Sequence, residues 1–205
     1  MDTRQRIPCE RGRSVSIRVI EPTDADPLRA FYAALSPESR RRRFLGASSG
    51  ISKQQAERFA KELGVVAVLH EQGPDDGALV GHACLPLIEP GVAEAAVAVA
   101  DAYQGAGIGR ALLAAAVTEA RESGIRRLVA SMFADNAAIH RLLLGPGLPY
   151  RRLSAGGGVD ALEIEVAAAP EGSVVGRPKG TPEVGPWVPQ TGRTAPSGRS
   201  HQPVR

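Results

Sequence analysis

The sequence predicts a mixed α/β fold with a largely antiparallel sheet flanked by helices, in the order β-α-α-α-β-β-β-α-β-α-β-β. Three observations carry that expectation. A chain of 205 residues is long enough for one domain with its own core. Between Ser14 and Val166, apolar residues recur with period two in some segments and near 3.6 in others. Turn-rich joints at residues 73–77, 90–91 and 156–158 separate consecutive strand-like runs.

Residues 15–20 (VSIRVI) alternate as a short strand and extend into Pro22. Thr23 or Asp24 can cap a helix to about Leu35, with Leu28, Phe31, Ala34 and Leu35 on one face. A second short helix follows, with Ser36 as cap and Pro37 in the first helical position. It carries Arg40 to Arg43, a charge run expected to be a solvated face with Phe44 and Leu45 turned inward. Residues 52–63 form a third helix with the stripe Ala56, Phe59, Ala60, Leu63, and Gly64 is expected to end it as a left-handed cap. Residues 65–70 and 78–88 read as a hairpin about the turn 73–77, and 92–100 as the next strand. A long helix over 109–122 is apolar at Leu112, Leu113, Ala116, Val117 and Ala120 and stops at Gly124. Residues 127–133 are a strand, Asp135 or Asn136 caps a short helix to about Leu144, and residues 145–147 break it. Residues 150–153 and 159–166 close the fold as a hairpin. Residues 1–14 form an N-terminal extension, and the domain runs over 15–168.

Residues 169–205 differ in kind. The last 36 hold seven Pro and six Gly, with Trp187 the one aromatic, a composition expected to stay disordered as a solvated tail. Lys plus Arg total 25 and Asp plus Glu 22, a net charge of +3. The tail accounts for all of that excess, so the body is neutral and does not read as a nucleic-acid binder. Cys9 and Cys84 are too few for a disulfide scaffold or a multi-cysteine metal site. His70, His82, His140 and His201 lack metal-ligand spacing, so no metal is expected. No secretory leader or membrane-spanning run is seen, and a cytoplasmic protein is expected.

One segment carries chemistry. An alternating strand through Val97 and Val99 runs into a glycine-spaced loop that opens directly onto the strong helix. Such a loop offers successive backbone N–H groups at the positive end of a helix dipole, a site for phosphate oxygens. The dinucleotide pattern G-x-G-x-x-G would need glycine where Arg110 stands, and the P-loop's Gly-Lys-Ser/Thr step does not occur in the loop.

The run Gln104-Gly105-Ala106-Gly107-Ile108-Gly109-Arg110 resembles the Q/R-G-x-G-I-G-R/K signature of the GNAT superfamily of N-acetyltransferases. The resemblance covers residues 15–166 and implies a loop that holds the pyrophosphate of acetyl-CoA. It also implies a preceding strand that splays from its neighbour, with Val97 and Val99, and Ala98 between them, where the pantetheine arm binds. Asn136 and Gly147-Leu148 match the family's next features, and Asn136 would contact the cofactor arm. The stretches Ile17-Arg18, Asp24, residues 35–40 and Arg43-Phe44-Leu45 resemble the acetyltransferase domain of bacterial protein-lysine acetyltransferases. The implied reaction is direct attack by an amine on the thioester in a ternary complex, with protein lysine the preferred acceptor and a small-molecule amine the alternative. Glu94 matches the family's glutamate base, direct or through water; Asp101 is expected to shape the turn. Leu143 stands where many relatives carry the tyrosine that protonates the leaving thiolate, so no general acid is assigned. That departure leaves a third reading open, a non-catalytic acyl-CoA-binding module.

Overall fold

The computed structural model describes residues 6–144, 149–153 and 158–166. The expected tail, the break at 145–147, residues 156–157 of the joint at 156–158, and the Gly147-Leu148 match lie outside them. Along the chain come β1 (Ile7–Pro8), β2 (Ser14–Val19), α1 (Ala25–Ala34), α2 (Pro37–Phe44), α3 (Lys53–Phe59), β3 (Gly64–His70) and β4 (Leu79–Cys84). Then follow β5 (Leu87–Glu89), β6 (Val92–Glu94), β7 (Ala96–Val99), α4 (Ile108–Glu122), β8 (Arg127–Phe133), α5 (Ala137–Leu144), β9 (Tyr150–Leu153) and β10 (Val159–Glu165). They build two sheets, β1-β2-β3-β4-β7 and β5-β6-β8-β10-β9. Every pairing is antiparallel except β6 with β8, as the mixed, largely antiparallel expectation requires.

The first sheet is covered on both faces, which explains why β3 is apolar throughout. Val65, Ala67 and Leu69 join the core under α4 with Leu112, Leu113 and Ala116. Val66 and Val68 point the other way, into a second core with Leu28, Phe31 and Tyr32 of α1 and Phe59 of α3. Period-two alternation thus divides one strand between two cores.

Four expectations are corrected. The run 92–100 is not one strand: it breaks at buried Ala95, so that β6 lies in the second sheet and β7 in the first. The run 78–88 divides likewise between β4 and β5 around Pro86, which has no N–H to continue a ladder. Gly64 is not a left-handed cap. It opens β3, and a Cβ there would sit 2.6 Å from the Ala83 carbonyl oxygen, so close strand approach requires the glycine. Neither Thr23 nor Asp24 caps α1 by its side chain. A single 3₁₀ turn over Pro22–Asp24 precedes the helix, and the Asp24 carboxylate accepts the Glu21 N–H at 2.8 Å. Two bonds of 2.7 Å from the Arg18 guanidinium complete its partners. The second helix starts as expected, with Ser36 Oγ accepting the Ser39 N–H at 3.1 Å and Pro37 in its first position.

Candidate active site

The break at Ala95 makes the site. Ala95 N–H donates to the Val129 carbonyl at 2.8 Å, the last link between this run and β8. Beyond it, β7 follows β4 and diverges from β8, leaving a cleft of about 730 Å³ between the two sheets. That volume falls in the range of roughly 300–1,000 Å³ typical of ligand sites.

Backbone periodicity decides what faces the cleft. Ala95 N–H points toward β8, whereas Ala100 N–H donates to the Val80 carbonyl of the first sheet at 2.9 Å. Alternation between those two fixed points turns the backbone groups of Val97 and Val99 toward the cleft and those of Ala98 toward His82 in β4. Among the described residues, no strand pairs with that edge of β7.

At the outer end of the cleft the chain turns through the loop into α4. Gly105 (φ +81°) and Gly107 (φ +84°) are left-handed, a conformation glycine adopts without strain. A Cβ at either would meet nothing within 4 Å, so the loop presents bare backbone to open space. No side chain caps α4, whose first intrahelical bond runs from Ala111 N–H to Gly107 O at 3.1 Å. The N–H groups of Ile108, Gly109 and Arg110 are therefore the orphan donors of the helix start. Ile108 is buried as an anchor while Ala106 and Arg110 are exposed. Gly109 also lines the cleft, and a Cβ there would lie 3.6 Å from Leu142, an ordinary contact.

α2 runs along the cleft. Near the loop, the Asp101 carboxylate accepts the Ser36 N–H at 2.9 Å and the hydroxyls of Ser36 and Ser39 at 2.7 Å each. Gln104 Nε2 donates to Ser39 Oγ at 3.2 Å and to the Val99 carbonyl at 3.1 Å. Burial works to raise the Asp101 carboxyl, but these bonds outweigh it and hold the group below the usual carboxylate range. At the inner end, the Arg43 Nη2 donates to Cys84 Sγ at 3.1 Å, opposite Ala96.

The arginine run does not behave as one solvated face. Arg41 and Arg42 do lie out, both bonded to Glu38, and Arg41 stacks 4.2 Å over Phe133. Arg40 turns back to the carbonyls of Ala33, Leu35 and Ser48. Arg43 turns inward among the rings of Tyr32, Phe44 and Phe59, its Nε buried without a hydrogen-bond partner in the protein. Burial opposes its charge, but Tyr32, Cys84 and Glu94 drive its pKa above the ordinary arginine value. Beneath it, burial and the Arg43 charge push His82 down to about 3, so the imidazole is neutral, and Tyr32 bonds it at 2.9 Å.

Of the remaining sequence-predicted residues, Asn136 lines the cleft and caps α5, its Oδ1 accepting the Ile139 N–H at 3.3 Å. Glu94 ends β6 and does not line the cleft; its charge acts on Arg43, Glu62 and Cys84 at the inner end. Leu143 is buried on the cleft wall. Tyr103 lines the cleft with its hydroxyl 2.9 Å from Arg13 Nη1, while Tyr150 is exposed on the edge strand β9. Sequence reasoning missed Ser131 on β8 and Arg141 on α5, both lining the cleft. Period two along β8, which buries Leu128, Ala130 and Met132 and turns Val129 and Ser131 to the other face, could have marked the first; nothing local marks the second. Among the described residues no three His, Cys, Asp or Glu side chains gather as a metal would need.

The acetyltransferase (GNAT) family model matches residues 28–145. An acetyltransferase of Pseudomonas aeruginosa is 33% identical over 148 residues, 69% of this chain and 78% of its own length. The GNAT domain of S. lividans PAT superposes with a TM-score of 0.66 at 27% identity, over 78% of this chain and 96% of that one. A phosphinothricin acetyltransferase from Sinorhizobium meliloti, solved in complex with acetyl-CoA, shares the fold at TM-score 0.56 and 17% identity, over 83% of this chain and 96% of its own.

Proposed function

The chain belongs to the GNAT family of acetyltransferases, and from that premise we propose that it moves acetyl from acetyl-CoA to a primary amine, preferably a protein lysine. One observation carries this: the uncapped start of α4, with two left-handed glycines and bare backbone, opens onto a cleft edged by the free side of β7. The cleft fits the donor at both ends. Amides of residues 105–110 meet the diphosphate, and the backbone of Val97 and Val99 pairs the amides of the pantetheine arm, with Asn136 beside it. The thioester supplies the activated acyl group.

The acceptor's difficulty is protonation. A lysine amine with a reference pKa of about 10.4 is neutral in only ~1 molecule in 2,500 at pH 7, a deficit of roughly 4–5 kcal/mol. Glu94 takes that proton through a water, its charge acting on Arg43 at the inner end of the cleft. No protein acid is needed for a leaving thiolate whose pKa is near 8.5.

Similarity to the GNAT domain of S. lividans PAT supports the protein-lysine acceptor, and the shared fold with a phosphinothricin acetyltransferase supports a small-molecule amine as the alternative. Buried Leu143 favours one further reading, an acyl-CoA-binding module without transfer. Thiol release measured across peptides and small amines decides among them; tight acetyl-CoA binding with no release on any amine selects the module. Glu94→Gln is expected to lower kcat/KM for the amine about a hundredfold at pH 7 while coenzyme A affinity stays unchanged. An unaltered kcat/KM removes Glu94 as the base.

A further inference from the structure

α2 walls the cleft, yet none of its residues is fully buried, and its sequence PESRRRRF offers little that could be. Hydrophobic burial therefore fixes little of this helix beyond its last residue, Phe44, which packs against the second core. Polar and ring contacts fix the rest. Its C-terminal half is held by Arg43 against the rings of Tyr32 and Phe59, by Phe44 beside Tyr32, and by Arg41 on Phe133. Its N-terminal half is held by Arg40 on the carbonyls of Ala33, Leu35 and Ser48, and its first turn by one carboxylate with Gln104 beside it. Asp101, more than sixty residues away in sequence, accepts the Ser36 N–H and both serine hydroxyls at 2.7–2.9 Å. Such short bonds to an ionised acceptor are the strong kind, and the charge also sits at the positive end of the helix.

We propose that Asp101 is a positioning residue for the transfer: it fixes the start of α2, and with it Glu38 and Arg42, on the wall of the cleft. The inference rests on reading the cleft as the site of acetyl transfer. Ser36 is doubly used, since its hydroxyl accepts the Ser39 N–H as helix cap while donating to Asp101. Gln104 ties Ser39 to the Val99 carbonyl on the cleft edge, so the donor-binding loop and the α2 wall share one hydrogen-bonded network. Without the carboxylate the first turn of α2 keeps its Pro37 and Ser36 signals but loses its anchor. The side chains it carries into the cleft then lose a fixed position, while the loop glycines and α4 do not change. The cost therefore falls on the amine and not on the donor.

The full chain is compared with Asp101→Ala and with the double variant Ser36→Ala/Ser39→Ala. The readouts are coenzyme A affinity by calorimetry, acetyl transfer over a range of amine concentrations, and trypsin cleavage after Arg41, Arg42 and Arg43. Either variant is expected to raise the amine KM about tenfold, leave the coenzyme A Kd within about threefold, and speed cleavage in α2. Combining all three substitutions adds less than about twofold, because both sides remove the same link. Asp101→Asn, which keeps an acceptor for the hydroxyls, restores part of the loss. An amine KM within about threefold of the parent overturns the proposal, as does a coenzyme A Kd that weakens as much as amine use. If Asp101→Ala does not fold, the serine pair carries the same test. A parent that transfers to no amine sinks the functional reading alone; the trypsin comparison still decides the anchor, and unchanged cleavage overturns it.

Discussion

Replacing Gly107 by alanine separates the folding role of the loop from its binding role. Gly107 has φ +84° and ψ −3° at the start of α4, and an added Cβ would meet no atom within 4 Å. The fold therefore registers only the left-handed conformation, about 1–2 kcal/mol for a residue with a Cβ. In a domain of this size that lowers the melting temperature by roughly 2–8 °C. Binding registers more. The methyl projects into the space where the proposed binding mode brings a diphosphate within hydrogen-bond distance of the amides of residues 108–110. Displacing it by a fraction of an ångström from charge-assisted bonds is expected to weaken coenzyme A about 10- to 100-fold, or 1.4–2.8 kcal/mol. Gly109→Ala is the control. Its Cβ makes an ordinary 3.6 Å contact with Leu142, and alanine suits a helix better by about 1 kcal/mol. Calorimetric titration with coenzyme A and a thermal melt on each variant give both numbers. A Gly107→Ala protein that melts lower yet binds coenzyme A within about twofold of the parent refutes the placement of the phosphates at this helix start.

Two acid-sensitivity predictions follow from the buried polar groups. Burial would raise the Asp24 carboxyl, but the Arg18 bonds and the Glu21 N–H outweigh it and hold its pKa below normal. A depressed carboxyl stabilises the fold above its unfolded value, near 3.9, and that contribution is lost as pH falls through the folded value. Asp24→Asn should cost about 1–3 kcal/mol at pH 7 in urea unfolding, with the deficit shrinking below pH 4; a deficit independent of pH would contradict it. His82 is pushed down to about 3 by burial and by Arg43, beside Tyr32. Its neutral form is native, so stability is whole above its unfolded value near 6.5 and falls by up to about 1.4 kcal/mol per pH unit below it. His82→Gln should flatten that slope between pH 6 and 4, and an unchanged slope would assign the acid sensitivity elsewhere.

The parts of the fold legible in the sequence are those set by local signals. The Ser36-Pro37 start of α2, the stripe of α4, the period of β8 and the Asn136 cap each follow from neighbours a few residues away. So did the loop, because left-handed glycines before a helix are a local requirement. The rest depends on partners distant in sequence. Nothing within the run AEAAVAVA marks Ala95 as the break, since small apolar residues suit either sheet; only the Val129 carbonyl across the cleft decides it. Pro86 did mark the other division, and a stricter reading of proline in a strand would have found it. Gly64 follows a helix and so resembles a cap, yet the constraint comes from Ala83 two strands' lengths later. The four arginines look equivalent as a run. Their roles part only because Glu38, the carbonyls of Ala33, Leu35 and Ser48, and the rings of Tyr32, Phe44 and Phe59 surround them differently.

The break at Ala95 also explains why the cleft can exist without unravelling the domain. Splitting one strand between two sheets leaves the edge of β7 and the facing edge of β8 without each other, a costly arrangement inside a core and an aggregation hazard on a surface. Here neither cost arises in full. The two cores lie under α4 and under α1 with α3, so the diverging edges border the open cleft, where Val97 and Val99 are only partly buried and water can reach their backbone groups. Gln104 takes the Val99 carbonyl, and α2 covers the opening with charged side chains, which do not recruit another strand. A ligand that enters must then replace water with groups of peptide-like spacing, while its charged end meets the helix start. Diphosphate alone satisfies the second requirement and not the first. Inorganic pyrophosphate should accordingly bind far more weakly than coenzyme A, and equal affinities would show that the edge of β7 contributes nothing.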